Sequence, residues 1–225
     1  MSKVLTACVV FVLVEGLFLV AQNVQNPPNT VTLRGKIVFQ GALPTAPIQM
    51  GSDPYCASLG QRNYQGSEDV MVYVKPMNQA SFSLPGSTVT LEWRDCRFVP
   101  HTLSLQVGQK LLIRNSDGTA HNAHAWSAIN QPFNISQVPG AEVLKTFEKE
   151  EVSFAIRDDI HGWEVANVGV FGHPYHTVSK LNDVYQLAIP AGPYEIIAWH
   201  ERLGTVQQSF EAKGGETRVL DLVFK

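Results

Sequence analysis

From Val31 onward the chain is a succession of short runs: "VTLRGKIVF", "VMVYV", "TVTLEW", "HTLSLQV", "KLLIRN", "VSFAI", "VYQLAI", "YEIIAWH", "TVQQSF" and "TRVLDLVF". Gly, Pro, Asn and Asp divide them, and β-branched and aromatic residues fill them. Runs this short and bounded this way form strands, and no amphipathic helical stretch competes for the same residues. In "VTLRGKIVF" and "TRVLDLVF" apolar and polar residues alternate, as a strand with one buried face requires. The turns "LPGS", "NSDG", "VPG" and "IPAGPY" set Pro and Gly where tight connections need a fixed or positive φ. The expected fold is therefore all-β, an antiparallel β-sandwich. A chain of 225 residues has room for one large β domain or two smaller ones. A softer boundary falls near Ser179, after which residues 179–225 read as a compact strand–turn–strand module. The early strand "VTLRGKIVFQGALP" is a candidate to pair with that module.

The N-terminal run "VLTACVVFVLVEGLFLVA", Val4 to Ala21, follows Lys3. It is long enough to cross a hydrocarbon core of about 30 Å as a helix. A secretory signal would have a shorter apolar run with small residues before the cut, and the best site here, after Ala21, is poor. The expectation is a retained anchor over residues 1–21, with a cleaved signal as the alternative, and a linker over 22–30. Lys3 would stay cytoplasmic and the bulk of the chain would lie outside. Glu15 within the run is unusual, because a carboxyl group in lipid costs about 2.5–3.5 kcal/mol and such groups usually face a protein partner. A lone protonatable Glu that is merely tolerated is the plainer alternative. Export bears on the cysteines too. With Cys8 inside the apolar run, only Cys56 and Cys96 remain, both in polar, loop-like surroundings. In an exported chain they would form one disulfide, constraining the unfolded chain by about 4 kcal/mol; two unrelated thiols are the alternative.

A net charge of -3 and a pI near 6.1, with no basic run, argue against nucleic acid as a partner. No phosphate-cradling glycine loop, G-x-S-x-G elbow or H-E-x-x-H helix is present. The chemistry therefore turns on the histidines. In "RDDIHGWE" an Asp stands three residues before His161 and a Glu three residues after it, a spacing that suits either a metal loop or an acidic surface loop. "HPYH" places His173 and His176 three apart, which does not force a shared ion. His101 and His200 fit satisfied core histidines, and Trp126, Trp163 and Trp199 fit core or interface aromatics.

The segments "IRNSDGTAHNAHAW" and "VSFAIRDDIHGWEVANVGVF" together resemble the cupredoxins, above all the amicyanin and plastocyanin type. In that family a strand ending in Asn leads to a His-Asn pair whose His binds copper, and a later C-x-x-H-x-x-M loop supplies the other ligands. The resemblance puts His121 and His161 at ligand positions, with His124 at the second His of an H-N-x-H form. Asp158 stands where the family has Cys, and Glu164 where it has Met. The motifs "DPYCA", "CRFVPH", "HNAHAW", "PFNISQ", "GVFGHPYHTV" and "AWHERLG" make the whole chain similar to exported bacterial proteins that fuse a cupredoxin to a carboxypeptidase-regulatory-like β module. This implies a Greek-key cupredoxin-like domain over 31–178 and the β module over 179–225, in the periplasm at the bacterial inner membrane.

A blue-copper centre needs a soft thiolate, two imidazoles and a weak axial ligand, and neither carboxylate replaces sulfur electronically. Two readings remain open. In one, the site is empty, no cofactor is bound, and the chain is a non-catalytic accessory subunit docked on a larger membrane electron-transfer complex, photosynthetic or respiratory. In the other, His121, Asp158, His161 and Glu164 hold one divalent transition-metal ion, type-2 copper, Zn, Mn or Fe, with a binding or redox role.

Overall fold

A computed structural model describes residues 29–43, 45–47, 51–60, 63–65, 67–76 and 82–225. The expected membrane anchor over 1–21, Glu15 within it and all but the end of the linker lie outside the described residues. Among the described residues no helix is long and apolar enough to cross a membrane.

The alternation read in the first strand, Thr30–Phe39, becomes a buried row of Val31, Leu33 and Ile37 with Arg34 and Lys36 facing water. It pairs antiparallel with Val184–Pro190, whose Tyr185, Leu187 and Ile189 are also buried, and parallel with Thr217–Val219 and Leu222–Phe224. Gly35 is required here. A Cβ at this position would lie 1.7 Å from the Leu220 carbonyl oxygen, which also accepts from the Tyr185 hydroxyl at 2.6 Å. A second sheet runs His176–Lys180, Asp69–Pro76, Gly192–His200 and Gly204–Ala212, all antiparallel. Val31, Leu33, Val72, Val74, Ile196 and Phe224 belong to the core enclosed between these two sheets.

A second sandwich is inserted between Pro76 and His176. Its five-stranded sheet runs Phe133–Gln137, His121–Trp126, Glu151–Arg157, Val165–Phe171, Thr102–Gln106. Its four-stranded sheet runs Glu142–Lys145, Leu111–Asn115, Val89–Trp93, Phe98–Val99. Leu91, Trp93, Leu105, Ile113, Phe147, Ile156 and Val168 belong to the core enclosed between them.

Two expectations change. The sheets are mixed, not purely antiparallel: Val165–Phe171 lies parallel to Thr102–Gln106, and Val89–Trp93 parallel to Leu111–Asn115. Alternation reports which face a strand buries and carries no direction, so pairings between distant strands escape it. The packing units also differ from the ranges 31–178 and 179–225. Residue 179 falls inside His176–Lys180, and the strands Thr30–Phe39 and Asp69–Pro76 contribute to the same core as the C-terminal strands. The pairing suggested for the early strand is present, and it extends to a second early strand.

One buried carboxylate fixes the two strands that carry the site. Glu151, at the start of Glu151–Arg157, accepts from the amides of Ala128 (2.7 Å), Ile129 (3.2 Å) and Asn130 (3.1 Å), and from the Ser127 hydroxyl and the Asn130 amide group. These residues follow the end of His121–Trp126. Burial pushes the Glu151 carboxyl up, but the hydrogen bonds from Ser127, Asn130 and Ala128 outweigh it and hold it down at about 2. Its stabilisation, on the order of 3 kcal/mol, is therefore fully present above the ordinary glutamate range and is lost as pH falls from about 4.5 toward about 2. Glu151→Gln should lower stability at neutral pH by roughly 1–3 kcal/mol and flatten the acid limb of a denaturant-midpoint profile between pH 5 and 2, on the order of the loss of one charge-assisted network. An unchanged acid limb would show that this network does not hold the loop.

Candidate metal centre

Strand Leu111–Asn115 ends in a fully buried asparagine that shapes the loop after it. The Asn115 amide group donates to the carbonyls of Thr119 (2.8 Å) and Gln137 (3.0 Å), while its Oδ1 accepts from the Asp117 amide (3.0 Å). The loop returns the chain into His121–Trp126, so that His121 enters the interior at the first position of that strand. Its ring stacks on Trp93, with centroids 5.2 Å apart and planes 12° from parallel.

The second loop answers the question raised by the Asp-x-x-His-x-x-Glu spacing. Asp158 Oδ1 accepts from the amides of Ile160 (2.7 Å) and His161 (3.0 Å), and Oδ2 accepts from the Asn122 amide (3.1 Å). The Asp158 amide donates to the Glu164 carbonyl at 3.0 Å, and the Glu164 amide to the His161 carbonyl at 2.9 Å. The loop thus closes on itself and turns Asp158, His161 and Glu164 inward. All three are at most 2% exposed, and His121 is fully buried. An acidic surface loop would have turned its carboxylates to water.

The four residues converge. His121 Nδ1 lies 2.9 Å from Asp158 Oδ2, 3.0 Å from His161 Nδ1 and 3.2 Å from Glu164 Oε2. His161 Nδ1 lies 3.5 Å from Asp158 Oδ2 and 3.7 Å from Glu164 Oε1. An ion at the centre of a tetrahedron with bonds of about 2.0–2.1 Å sets its donors about 3.3–3.4 Å apart, and the observed separations straddle that value. The approach of His121 to Glu164 lacks hydrogen-bond geometry, so both Glu164 oxygens are buried with no hydrogen-bond partner. A buried carboxylate left in that state is costly unless a cation meets it.

Two further carboxylates back the rings from outside. Asp117 Oδ2 lies 3.1 Å from His121 Nε2, and Asp53 Oδ2 lies 3.6 Å from His161 Nε2. Burial pushes His121 down, yet Asp117, Asp158 and Glu164 outweigh it and raise it to about 11. Burial pushes Glu164 up to about 7, with the Asp158 and Asp117 charges adding to the effect and His121 opposing it. Asp158 is held below the ordinary aspartate range: burial raises it, and His121 with the His161, Asn122 and Ile160 amides overcomes the rise. Sequence reasoning missed Asp53 and Asp117. Asp117 read as a turn residue in "NSDG", and Asp53, the N-cap of the short helix Pro54–Ser58, is distant in sequence from both motifs.

The expected disulfide is present, with Cys56 and Cys96 joined and fully buried. It lies against the centre, Cys56 Sγ being 3.9 Å from His161 Nε2. Both sulfurs are therefore spent on each other, and the convergent group contains none.

The remaining histidines serve other contacts. His124 Nδ1 faces Asp159 Oδ2 at 2.9 Å on the surface. His176 Nδ1 lies 2.9 Å from the Ser104 hydroxyl and its ring stacks on Phe171, while His173 stacks on Tyr175. His200 Nε2 lies 2.8 Å from the Ser67 carbonyl, and His101 Nε2 lies 2.8 Å from Glu201. Trp163 packs beside His161 and donates to the Cys96 carbonyl at 3.0 Å, whereas Trp126 is 59% exposed.

No protein-family model and no curated protein matches the chain. Among solved structures it is similar to a copper-containing nitrite reductase from Thermus scotoductus SA-01, at 20% identity and a TM-score of 0.36 over 43% of this chain; it spans only 25% of that one. It is also similar to a purple cupredoxin from Nitrosopumilus maritimus, at 20% identity and a TM-score of 0.32, covering 36% of this chain and 98% of that one. Amicyanin from Paracoccus versutus matches at 13% identity and a TM-score of 0.34, covering 44% of this chain and 97% of that one.

Proposed function

We propose that this is a non-catalytic metal-binding protein whose His121, Asp158, His161 and Glu164 together hold one divalent transition-metal ion. The observation that carries this reading is the meeting of two imidazole Nδ1 atoms and two carboxylates in a buried interior, with both Glu164 oxygens lacking a hydrogen-bond partner among the protein's groups. Mixed imidazole and carboxylate donors suit Zn, Mn, Fe or type-2 copper. Bound there, the ion would supply positive charge to the carboxylates and a cross-link between two loops. A blue-copper role is not supported, because the donor set has no thiolate and the two nearby cysteines are bonded to each other. A catalytic role is disfavoured by burial: all four donors would be engaged by the ion, and none is more than 2% exposed to a substrate. The accessory role in a larger membrane electron-transfer complex belongs to the same proposal as its cellular setting, with the chain contributing structure and not electrons.

Protein purified without chelators should carry about one transition-metal ion per chain by elemental analysis, and Asp158→Ala or His161→Ala should remove it. An ion-free wild-type protein that stays ion-free after exposure to Zn2+, Mn2+, Fe2+ and Cu2+ would refute the centre. Glu164→Gln should abolish binding while changing the stability of the metal-free protein by no more than about 1 kcal/mol, since His121 Nδ1 at 3.2 Å already offsets part of the Glu164 charge. Loss of binding with stability nearly kept separates a ligand from a merely structural carboxylate. Asp158→Cys combined with Glu164→Met should give an intensely coloured copper protein; failure to bind copper would show that the loop is not a copper-type ligand loop.

A further inference from the structure

Each ligand histidine has a carboxylate at the ring nitrogen that points away from the donor cluster, and both carboxylates are held by the same disulfide. The Cys96 amide donates to Asp117 Oδ2 at 2.9 Å, and the preceding Asp95 amide donates to Asp117 Oδ1 at 2.7 Å. The Cys56 amide donates to Asp53 Oδ1 at 2.9 Å, leaving Oδ2 to accept from the Thr119 hydroxyl at 2.8 Å. Thr119 lies in the Asp117 loop, so the two carboxylates share one framework: the helix Pro54–Ser58, the turn at Cys96 and the loop 116–120. Tyr55 packs into it as well. Its hydroxyl donates to Asp117 Oδ1 at 3.4 Å, and its ring occupies the space a Cβ on Gly118 would need, 2.7 Å away.

The chemistry of imidazole gives this arrangement a consequence. A neutral ring carries one proton, and the nitrogen without it offers the lone pair. A carboxylate at Nε2 holds the proton there, which leaves Nδ1 as the donor. Both Nδ1 atoms face the cluster, 3.0 Å apart. Without the outer carboxylates either proton could sit on Nδ1, facing the ion and blocking the bond.

We propose that Asp117 and Asp53 are positioning residues of the metal centre, set by the Cys56–Cys96 disulfide, that keep the ring protons of His121 and His161 on Nε2 so that both Nδ1 atoms face the ion. The inference rests on the metal reading above and adds residues that make no contact with the ion. Asp117 exerts the stronger hold, because it is 3.1 Å from its ring and almost fully buried, whereas Asp53 is 3.6 Å from its ring and partly exposed.

The test uses the whole chain, with Zn2+ and Co2+ as the probes. Asp117→Asn keeps the shape and removes the charge; it should weaken Zn2+ binding by about 10–100-fold, the usual effect of losing such an outer partner, and Asp53→Asn should weaken it less. The Co2+ absorption bands should keep their positions in both variants, because the four donors are unchanged. A merely structural role would not move a second readout, the exchange-protected His121 Nε2 proton in 1H–15N spectra. It should be present in metal-free and Zn2+-loaded wild type alike and lost in Asp117→Asn, with the backbone amide spectrum preserved. The Cys56→Ala, Cys96→Ala double variant should weaken Zn2+ binding at least as much as Asp117→Asn. Zn2+ affinity within twofold of wild type in both aspartate variants, or a ring proton found on Nδ1 in Zn2+-loaded wild type, would overturn the proposal. A wild type that binds neither ion would defeat the metal reading alone. In that case loss of the Nε2 proton signal in Asp117→Asn would still sustain the positioning contact, and its persistence would overturn it.

Discussion

Everything at this pole of the molecule depends on one electrostatic constraint: electron-pair donors brought together in a buried interior must be met by positive charge. Asp158 satisfies most of its need through three backbone amides, and Glu164 satisfies none of its need in this way. Protons on the histidines can supply part of the missing charge, and the raised position of His121 shows how strongly the carboxylates call for it. A divalent ion would supply it more completely, because it would meet both carboxylates and both lone pairs at once. The Asp158 turn, the Asn115 staple and the Glu151 network each spend buried hydrogen bonds on fixing chain that would otherwise be free to carry its polar groups to water.

How much of this was legible in the sequence depends on the range of the interaction. The all-β class followed from short alternating runs, and Thr30–Phe39 shows the alternation as a buried row. The spacing of Asp158, His161 and Glu164 was legible but not its direction, since three-residue steps suit an inward or a surface loop alike and the backbone bonds that close the turn show only in the fold. His121 was reachable only through a motif, because its place beside His161 is set by the pairing of His121–Trp126 with Glu151–Arg157. Asp53 and Asp117 were not legible at all. Each acts through a ring whose far side is turned to it by tertiary packing, and each doubles locally as a cap or turn former. The same limit explains the parallel pairs and the discontinuous C-terminal core, which join strands separated by a hundred residues or more of chain in the case of Asp69–Pro76 and His176–Lys180.

The inserted sandwich makes physical sense of where the centre lies. Its core is closed by apolar strands, but the loops 116–120 and 158–164 and the helix Pro54–Ser58 gather at one end around the ligands. Loops that leave strands have few apolar groups to bury, so their order comes from hydrogen bonds such as those of Asn115 and Asp158 and from cross-links. Here one covalent link is in place: Cys56–Cys96 ties the helix to the turn after Val89–Trp93. An ion held by His121 and by the Asp158 loop would tie the two remaining loops, giving this pole one covalent and one coordinate clasp.

That division of labour also bears on the chemistry. A centre meant to exchange electrons profits from soft donors and an edge near solvent, whereas one meant to hold loops profits from charge, hardness and closure. Here the donors are two carboxylates and two imidazoles, none more than 2% exposed, with aromatic rings from Trp93 and Trp163 flanking the histidines. With Asp117 and Asp53 counted beside Asp158 and Glu164, four carboxylates would surround the proposed divalent ion and leave net negative charge, which favours ions of higher charge over monovalent ones and repels anionic ligands. The demand for positive charge comes from the protein's own buried acids, and the proposed ion would offset part of it.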